Sequence, residues 1–134
     1  MSIHPVLTAS NRAGSEEFDL EEDELFEMAN LDPNETGLEG WVRISTGEGQ
    51  HGFRVKFYAG RPGPGQPSMS MTIEATPRVV ASDLAPHIAR RHEGQVRAWV
   101  VLNREKLQTF WTQGTSWSVR ELVAFIDALE PLPG

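Results

Sequence analysis

The sequence predicts an α+β domain in which an antiparallel meander of three or four strands is covered on one face by two or three C-terminal helices. Apolar residues recur with a period of two between about residues 40 and 81, as in strands with one buried face. Between about residues 83 and 129 they recur at three- and four-residue steps, as in amphipathic helices. Strands followed by helices are most simply arranged as two layers. A length of 134 residues points to one domain.

An acidic N-terminal segment, residues 1–28, precedes this domain, which we assign to residues 29–134. Residues 1–15 show no period, whereas residues 16–28 place three apolar side chains on one helical face among acidic ones. These three residues, Phe18, Leu25 and Phe26, are candidates for docking on a partner. Like charges four residues apart weaken an isolated helix, so we expect a flexible or partly helical segment. A turn is expected at Asp32-Pro33-Asn34.

Alternating apolar and polar residues predict strands over residues 53–58 and 68–74, and a strand over 41–45 is expected before them. Residues 78–81, after Pro77, are expected to form a short further strand or an extension. Between the strands at 53–58 and 68–74, residues 59–67 contain three Gly and three Pro in nine positions. Proline cannot donate to a strand ladder, so this stretch predicts a long loop. Its length leaves room for contact with a partner.

The helices are predicted from capping residues and from the spacing of apolar residues. The first helical piece is expected over about residues 83–92, with Gly94 breaking or bending the chain after it. An amphipathic helix with a strongly aromatic end is expected over residues 96–111. Ser118-Val-Arg-Glu121 matches a capping box and predicts the start of the last helix.

The net charge of −7 is divided unevenly along the chain. Residues 1–39 carry 11 of the 19 acidic residues and one basic residue, whereas residues 40–134 carry eight acidic and 11 basic residues. The body of the protein is therefore mildly basic. The absence of Cys excludes disulfides, thiol catalysis and cysteine metal sites. No apolar run approaches the ~20 residues of a membrane helix, and no signal-peptide pattern is visible, so a cytoplasmic location is expected.

Several short motifs along the chain form a recurrent pattern. They are Ala29-Asn-Leu-Asp-Pro33, Thr36-Gly-Leu38, Trp41-Val-Arg-Ile44, His51-Gly-Phe-Arg54-Val-Lys56, Val79-Val80, and Trp99-Val-Val-Leu102-Asn103-Arg104-Glu105-Lys-Leu107-Gln-Thr-Phe110-Trp111. The pattern resembles a group of small uncharacterised bacterial proteins with an ANL–TGL–RVKV–WxxLNRxxLxxFW signature. The resemblance implies one continuous domain over roughly residues 29–129 and a bacterial cytoplasmic protein. It implies no catalytic residue, because the group has no established activity.

The sequence shows no catalytic constellation, and we predict no catalytic residue, metal or cofactor. His87 and His92 are five residues apart and do not share a helical face as a metal pair would. His51 is kept as a candidate polar residue because the fold could bring it close to either of them. Asn103 is a second candidate, since it falls within an aromatic stripe. We favour a backbone hydrogen bond for Asn103 over a polar group in a ligand pocket.

Three functions remain open, and a non-enzymatic binding or regulatory module acting by protein–protein contact is favoured. The unknown protein partner would bind to the acidic segment or to loop 59–67. A homodimer formed through a sheet edge or through the aromatic helix is compatible with this hypothesis. The alternative is a nucleic-acid-associated protein whose basic body is masked by its own acidic segment. The second alternative is a small enzyme using His51. The candidate basic patch comprises Arg54, Lys56, Arg90, Arg91 and Arg97.

Overall fold

A computed structural model describes residues 3–7, 27–46 and 53–133 and confirms the α+β class. Over these ranges the chain forms one six-stranded antiparallel sheet whose strand order follows the sequence. The strands are β1 Ile3–Leu7, β2 Glu27–Leu31, β3 Trp41–Ser45, β4 Arg54–Tyr58, β5 Met69–Thr72 and β6 Val79–Ser82. The helices are α1 Pro33–Thr36, α2 Pro86–Leu102, α3 Arg104–Gln113 and α4 Val119–Ala128. None of these helices is long and apolar enough to cross a membrane.

The meander is longer than the sequence predicts. Four strands lie within the expected interval, and β1 and β2 extend the sheet on its N-terminal side. Glu27 and Met28, which we expected at the end of the acidic segment, belong to β2, so the predicted boundary between residues 28 and 29 falls inside a strand. Ala29 and Leu31 are fully buried there. The sequence does not predict β2, because two buried residues among five are too few to distinguish a strand from a turn.

The registers divide the sheet into two chemically different faces. Side chains alternate along a strand, so residues opposite each other across the ladder share a face. On one face the cross-strand row is Leu31, Val42, Phe57 and Met69, all fully buried. The row on the other face is Asn30, Arg43, Lys56 and Ser70. The first face is the core face, and we call the second the open face.

A single helical turn, α1, replaces the expected turn after β2. Asp32 and Glu35 form a capping box, in which each side chain accepts a hydrogen bond from the other's backbone N–H at 3.0 and 2.9 Å. Gly37 ends the turn with a φ of 76°, a conformation that favours glycine. The backbone N–H of Leu132 donates to the Thr36 carbonyl at 2.8 Å. The C-terminal residues are thereby attached to the start of the domain.

The helical layer packs on the core face, and its breaks differ from those predicted. Helix α2 passes through Gly94 without interruption, because the surrounding helix formers offset the roughly 1 kcal/mol cost of one glycine. The chain breaks instead at Asn103, between α2 and α3. The predicted capping box at the start of α4 is confirmed, with Ser118 Oγ accepting from the Glu121 N–H at 3.1 Å. Trp99 and Phe110 are the largest helical side chains buried against the sheet.

Candidate functional site

The open face carries polar and charged side chains and lies opposite the helices. Phe57 on the core face packs its ring 4.9 Å from that of His92 in α2, which fixes the side of the sheet that α2 covers. The alternation of β4 turns Arg54 and Lys56 the other way. Lys56 is exposed and Arg54 is half-buried. The open face therefore presents positive charge at the surface.

A cavity of about 340 Å³ lies on the open face across β4, β5 and β6. Its walls are formed by Arg54, Lys56, Ser68, Ser70, Ala81, Ser82 and Asp83. Arg54 and Lys56 are two residues apart on one strand, so their Cα atoms are ~6.6 Å apart. Ser70 is the cross-strand partner of Lys56 and places a hydroxyl group beside the cation. The register of the neighbouring strands thus assembles two cations and the hydroxyl groups of Ser68 and Ser70 in one cavity.

The charged residues that line this cavity are two cations, Arg54 and Lys56, and one carboxylate, that of Asp83. Among the described residues, neither Arg54 nor Lys56 forms an ion pair with a carboxylate. The carboxylate of Asp83 is held at the wall, where Oδ1 accepts a hydrogen bond from the Ser68 N–H at 2.7 Å. Ser82 is the cross-strand partner of Met69, so its side chain lies on the core-face side of β6, where Oγ accepts from the Leu84 N–H at 3.3 Å. The cavity consequently offers more donors than acceptors.

Two other cations on this side of the sheet interact with neighbouring side chains. Arg43 Nε donates to Asn30 Oδ1 at 2.8 Å, and the Arg43 guanidinium lies 5.3 Å from the centroid of the Tyr58 ring. Arg61 lies 5.0 Å from the centroid of the Trp41 ring. Because Arg61 belongs to loop 59–67, this loop borders the open face at the end where β3 begins.

At the rim of the open face, near the end of β5, the carboxylate of Glu74 accepts hydrogen bonds from Thr72 and Arg78. Thr72 Oγ1 donates to Glu74 Oε2 at 2.6 Å, and Arg78 Nε donates to the same oxygen at 2.8 Å. These two hydrogen bonds, that from Thr72 first, hold the pKa of the Glu74 carboxyl below its usual 4.5. Glu74 therefore remains charged and paired with Arg78.

The five residues of the predicted basic patch lie in two different places. Arg54 and Lys56 are together in the cavity, whereas Arg90, Arg91 and Arg97 belong to α2 on the core side of the sheet. Arg91 is paired with Glu39 at 3.3 Å. Arg97 is paired with Glu93 at 2.5 Å and also donates to the Pro77 carbonyl at 3.0 Å. The structure does not join the five into one surface.

Asn103 and His92, two polar residues of the helical layer, are both buried. The amide of Asn103 is hydrogen-bonded to the backbone of Trp99 and of Glu130. The imidazole of His92 has its Nδ1 3.9 Å from Glu39 Oε1. Burial lowers the pKa of His92 below its usual 6.5, with the Arg91 charge acting in the same direction and Glu39 opposing it.

The remaining predicted site residues are not brought into a centre. His51 and the docking candidates Phe18, Leu25 and Phe26 lie outside the described residues. His87 is exposed in the first turn of α2. Within the described part of the chain, no group of three or more His, Asp and Glu residues is placed to hold a metal ion.

The aromatic residues considered for base stacking are covered by other side chains. Tyr58 is only 5% exposed, and Trp41 is half-buried beneath Arg61. Trp117 packs against Phe110 and Phe125, with ring centroids 5.8 and 5.2 Å away. None of these three rings lines the cavity. The Arg54–Lys56 pair is thus not accompanied by an open stacking platform formed by these aromatics.

The serines of the cavity are functional candidates that sequence reasoning missed. Ser68 and Ser70 alternate with buried Met69 and Met71, which is a visible signal that they share a face. The signal does not reveal that β5 pairs with β4 in the register that sets Ser70 against Lys56. The sequence predicts which residues of each strand share a face, but it does not predict how β4 and β5 are aligned with each other.

Comparison with family models, with curated proteins and with solved structures gives no match for this chain. The resemblance to small bacterial proteins with the ANL–TGL–RVKV signature therefore stays a prediction.

Proposed function

We propose that this protein is a non-enzymatic binding module that acts by protein–protein contact, and that it binds an acidic segment of its partner. The contact surface comprises the open face and the adjoining loop 59–67. The single observation that carries this proposal is the cavity on that face, where Arg54 and Lys56 have no carboxylate partner among the described residues.

Within residues 3–7, 27–46 and 53–133, no carboxylate offsets the two neighbouring cations Arg54 and Lys56, so no ion pair seen there makes them contribute to folding. Two like charges in water repel each other by ~0.6 kcal/mol at ~6.6 Å, which is the spacing of the two Cα atoms. Among the described residues, Arg78, Arg91, Arg97 and Lys106 are paired with carboxylates, whereas Arg90, Arg104 and Arg120 are not. The feature that distinguishes Arg54 and Lys56 is that they lie together in one cavity. A carboxylate-rich partner would relieve the repulsion at Arg54 and Lys56. Complementary charge of this kind also guides the encounter of two proteins.

An acidic protein segment fits this surface better than nucleic acid does. A nucleic-acid-binding sheet combines positive charge with exposed rings on which bases stack. Here Tyr58 is buried and Trp41 lies under Arg61. Serine hydroxyl groups, which hydrogen-bond to oxyanions, adjoin the cations instead. We therefore expect a protein ligand, and the experiment also detects nucleic acid if it is the ligand instead.

The test compares three forms of the full-length chain as bait in a native bacterial lysate. Lys56→Glu reverses a charge in the cavity, and Arg120→Glu reverses an exposed charge on α4 as the matched control. We expect quantitative mass spectrometry to identify a protein held by the wild type and by Arg120→Glu but lost by Lys56→Glu. The purified partner should then shift amide NMR signals of β4 and β5 on the open face.

Two results would contradict the proposal. One is a set of bound proteins that is the same for all three baits. The other is nucleic acid as the sole material that is lost with Lys56→Glu, which would favour the alternative function.

A further inference from the structure

The cavity on the open face holds more hydrogen-bond donors than a carboxylate uses. Arg54 contributes a planar guanidinium and Lys56 an ammonium group, and the serine hydroxyls add further donors. A carboxylate has about four acceptor sites, of which a bidentate arginine occupies two. It carries only one negative charge, so it balances one of the two cations, and Lys56 and Ser70 would share the two acceptor sites that are left.

A phosphate monoester matches this donor set more closely. It carries three terminal oxygens and a charge of about −1.5 to −2 at pH 7. The guanidinium of Arg54 suits two of these oxygens, and the ammonium of Lys56 acts as a point charge for the third. Ser70, directly across the ladder from Lys56, is positioned to donate to the same group. The two cations together match the charge of a dianion, and the Asp83 carboxylate in the same lining reduces the formal charge of the cavity to +1.

The size and walls of the cavity also fit a phosphate carried on a longer molecule. A volume of about 340 Å³ exceeds that of one phosphate group, so a short length of the chain that carries it also fits. Asp83, the acidic residue in the lining, is bound to the Ser68 backbone at 2.7 Å. The cavity is open at the protein surface beside β6, whose residues Val80 and Ala81 are exposed.

We propose that the Arg54–Lys56–Ser70 cavity binds a phosphorylated serine or threonine on the partner segment. This inference rests on the proposed function and specifies the chemistry of the partner. Binding is therefore controlled by phosphorylation of the partner.

The test titrates the full-length ¹⁵N-labelled protein with three short alanine-flanked peptides at constant ionic strength and pH 7.5. Their central residues are phosphoserine, glutamate and serine. We expect the phosphoserine peptide to bind at least ~10-fold more tightly than the glutamate peptide, because charge-assisted hydrogen bonds are the strong ones. The Nε–Hε signal of Arg54 and the amide signal of Ser70 should shift with saturation.

Two variants of the cavity and one control complete the design. Arg54→Gln should weaken binding of the phosphoserine peptide ~10-fold, and Ser70→Ala should weaken it by a smaller factor. Arg120→Gln, an exposed cation on α4, should leave it unchanged. Inorganic phosphate, titrated in parallel, should bind more weakly than the phosphoserine peptide.

The outcomes separate this inference from the proposed function. Equal binding of the glutamate and phosphoserine peptides, or tighter binding of inorganic phosphate, would overturn the inference. Capture of a partner that depends on Lys56 but survives phosphatase treatment of the lysate would also overturn it, while supporting the proposed function. Selective binding of the phosphoserine peptide without any Lys56-dependent protein partner would support the phosphate site and refute protein–protein contact as the function.

Discussion

The side-chain amide of Asn103 is hydrogen-bonded at both ends to the backbone of Glu130. Asn103 Nδ2 donates to the Glu130 carbonyl at 2.9 Å, and the Glu130 N–H donates to Asn103 Oδ1 at 2.8 Å. Nδ2 also donates to the Trp99 carbonyl at 3.1 Å, in the last turn of α2. One buried residue therefore occupies the break between α2 and α3 and anchors the chain that follows α4.

We predict that Asn103→Ala lowers the free energy of unfolding by about 2 kcal/mol. The substitution removes three hydrogen bonds and leaves the partly buried N–H and C=O of Glu130 without their Asn103 partner, and each such group costs about 1–3 kcal/mol. The Trp99 carbonyl still accepts the backbone N–H of residue 103. Urea denaturation followed by tryptophan fluorescence would measure the loss. Gln95→Ala, at an exposed position of α2, is the control and should change stability by less than ~0.5 kcal/mol. Equal stability of the two variants would show that the Asn103 amide does not anchor this junction.

A second prediction concerns Gly94, which lies inside α2 and is exposed. A Cβ atom built at Gly94 meets no atom within 4 Å. We expect Gly94→Ala to raise the free energy of unfolding by about 0.5–1 kcal/mol, because alanine loses less backbone entropy in a helix. Thermal denaturation followed by circular dichroism would measure the gain.

Gly37 provides the contrasting control for that measurement. Its φ of 76° is strained for alanine, and its added Cβ would collide with the backbone of Leu132. Gly37→Ala should therefore lower stability by at least ~1 kcal/mol. A destabilising Gly94→Ala would contradict the continuity of α2 through residue 94.

The sequence predicts the strands and the helical stripes correctly, but it predicts the break in the helical region at the wrong residue. Periodicity identified the strands from residue 41 onward and the apolar stripes of the helices, because those patterns are long. It placed a break at Gly94, where local composition favours one, rather than at Asn103. The real break depends on the hydrogen bonds to Glu130, which is 27 residues away in the sequence. A contact at that distance leaves no local signal.

The third prediction is a stability that depends on pH through His92. Burial lowers the pKa of His92 in the folded state below the usual 6.5, so the unfolded chain binds the proton more readily. The contribution of His92 to stability is complete above about pH 6.5 and is lost as the pH falls from that value through the lowered pKa of the folded state. Glu39 opposes this loss, and Arg91 reinforces it. Urea denaturation at pH 7.5 and pH 5.5 would measure the difference.

His92→Phe keeps a ring against Phe57 and removes the titration, so it should reduce the loss of stability between the two pH values. His87→Gln is the matched control, because His87 is exposed in the first turn of the same helix. A loss of stability that is the same in wild type and His92→Phe would assign the pH dependence to other groups.

Only part of the candidate site could be predicted from the sequence. The alternation of β4 identified Arg54 and Lys56 as neighbours on a polar face, and the structure places both in one cavity. The sequence does not say which side of the sheet α2 covers, so Arg91 and Arg97 were grouped with them although they lie in the helical layer. Ser70 was missed because its place depends on the register between β4 and β5.

The last prediction separates the role of Arg54 and Lys56 from the stability of the fold. Truncation of a side chain that stabilises the fold lowers the free energy of unfolding of the protein. Truncation of a cation that serves only to bind a partner does not. Neither side chain forms an ion pair among the described residues, and the two repel each other. We expect the double variant Arg54→Gln/Lys56→Gln to unfold with a free energy equal to or up to ~0.5 kcal/mol above that of the wild type, measured in urea at low salt.

The salt dependence of this free energy of unfolding tests whether repulsion between Arg54 and Lys56 causes the gain. Any gain should disappear as salt is raised towards ~1 M, where charges at this distance are screened. As a comparison, Arg97→Gln should lower stability, because Arg97 is bound to both Glu93 and the Pro77 carbonyl. A loss of more than ~1 kcal/mol in the double variant would mean that Arg54 and Lys56 support the fold, and their presence in the cavity would no longer point to a binding partner.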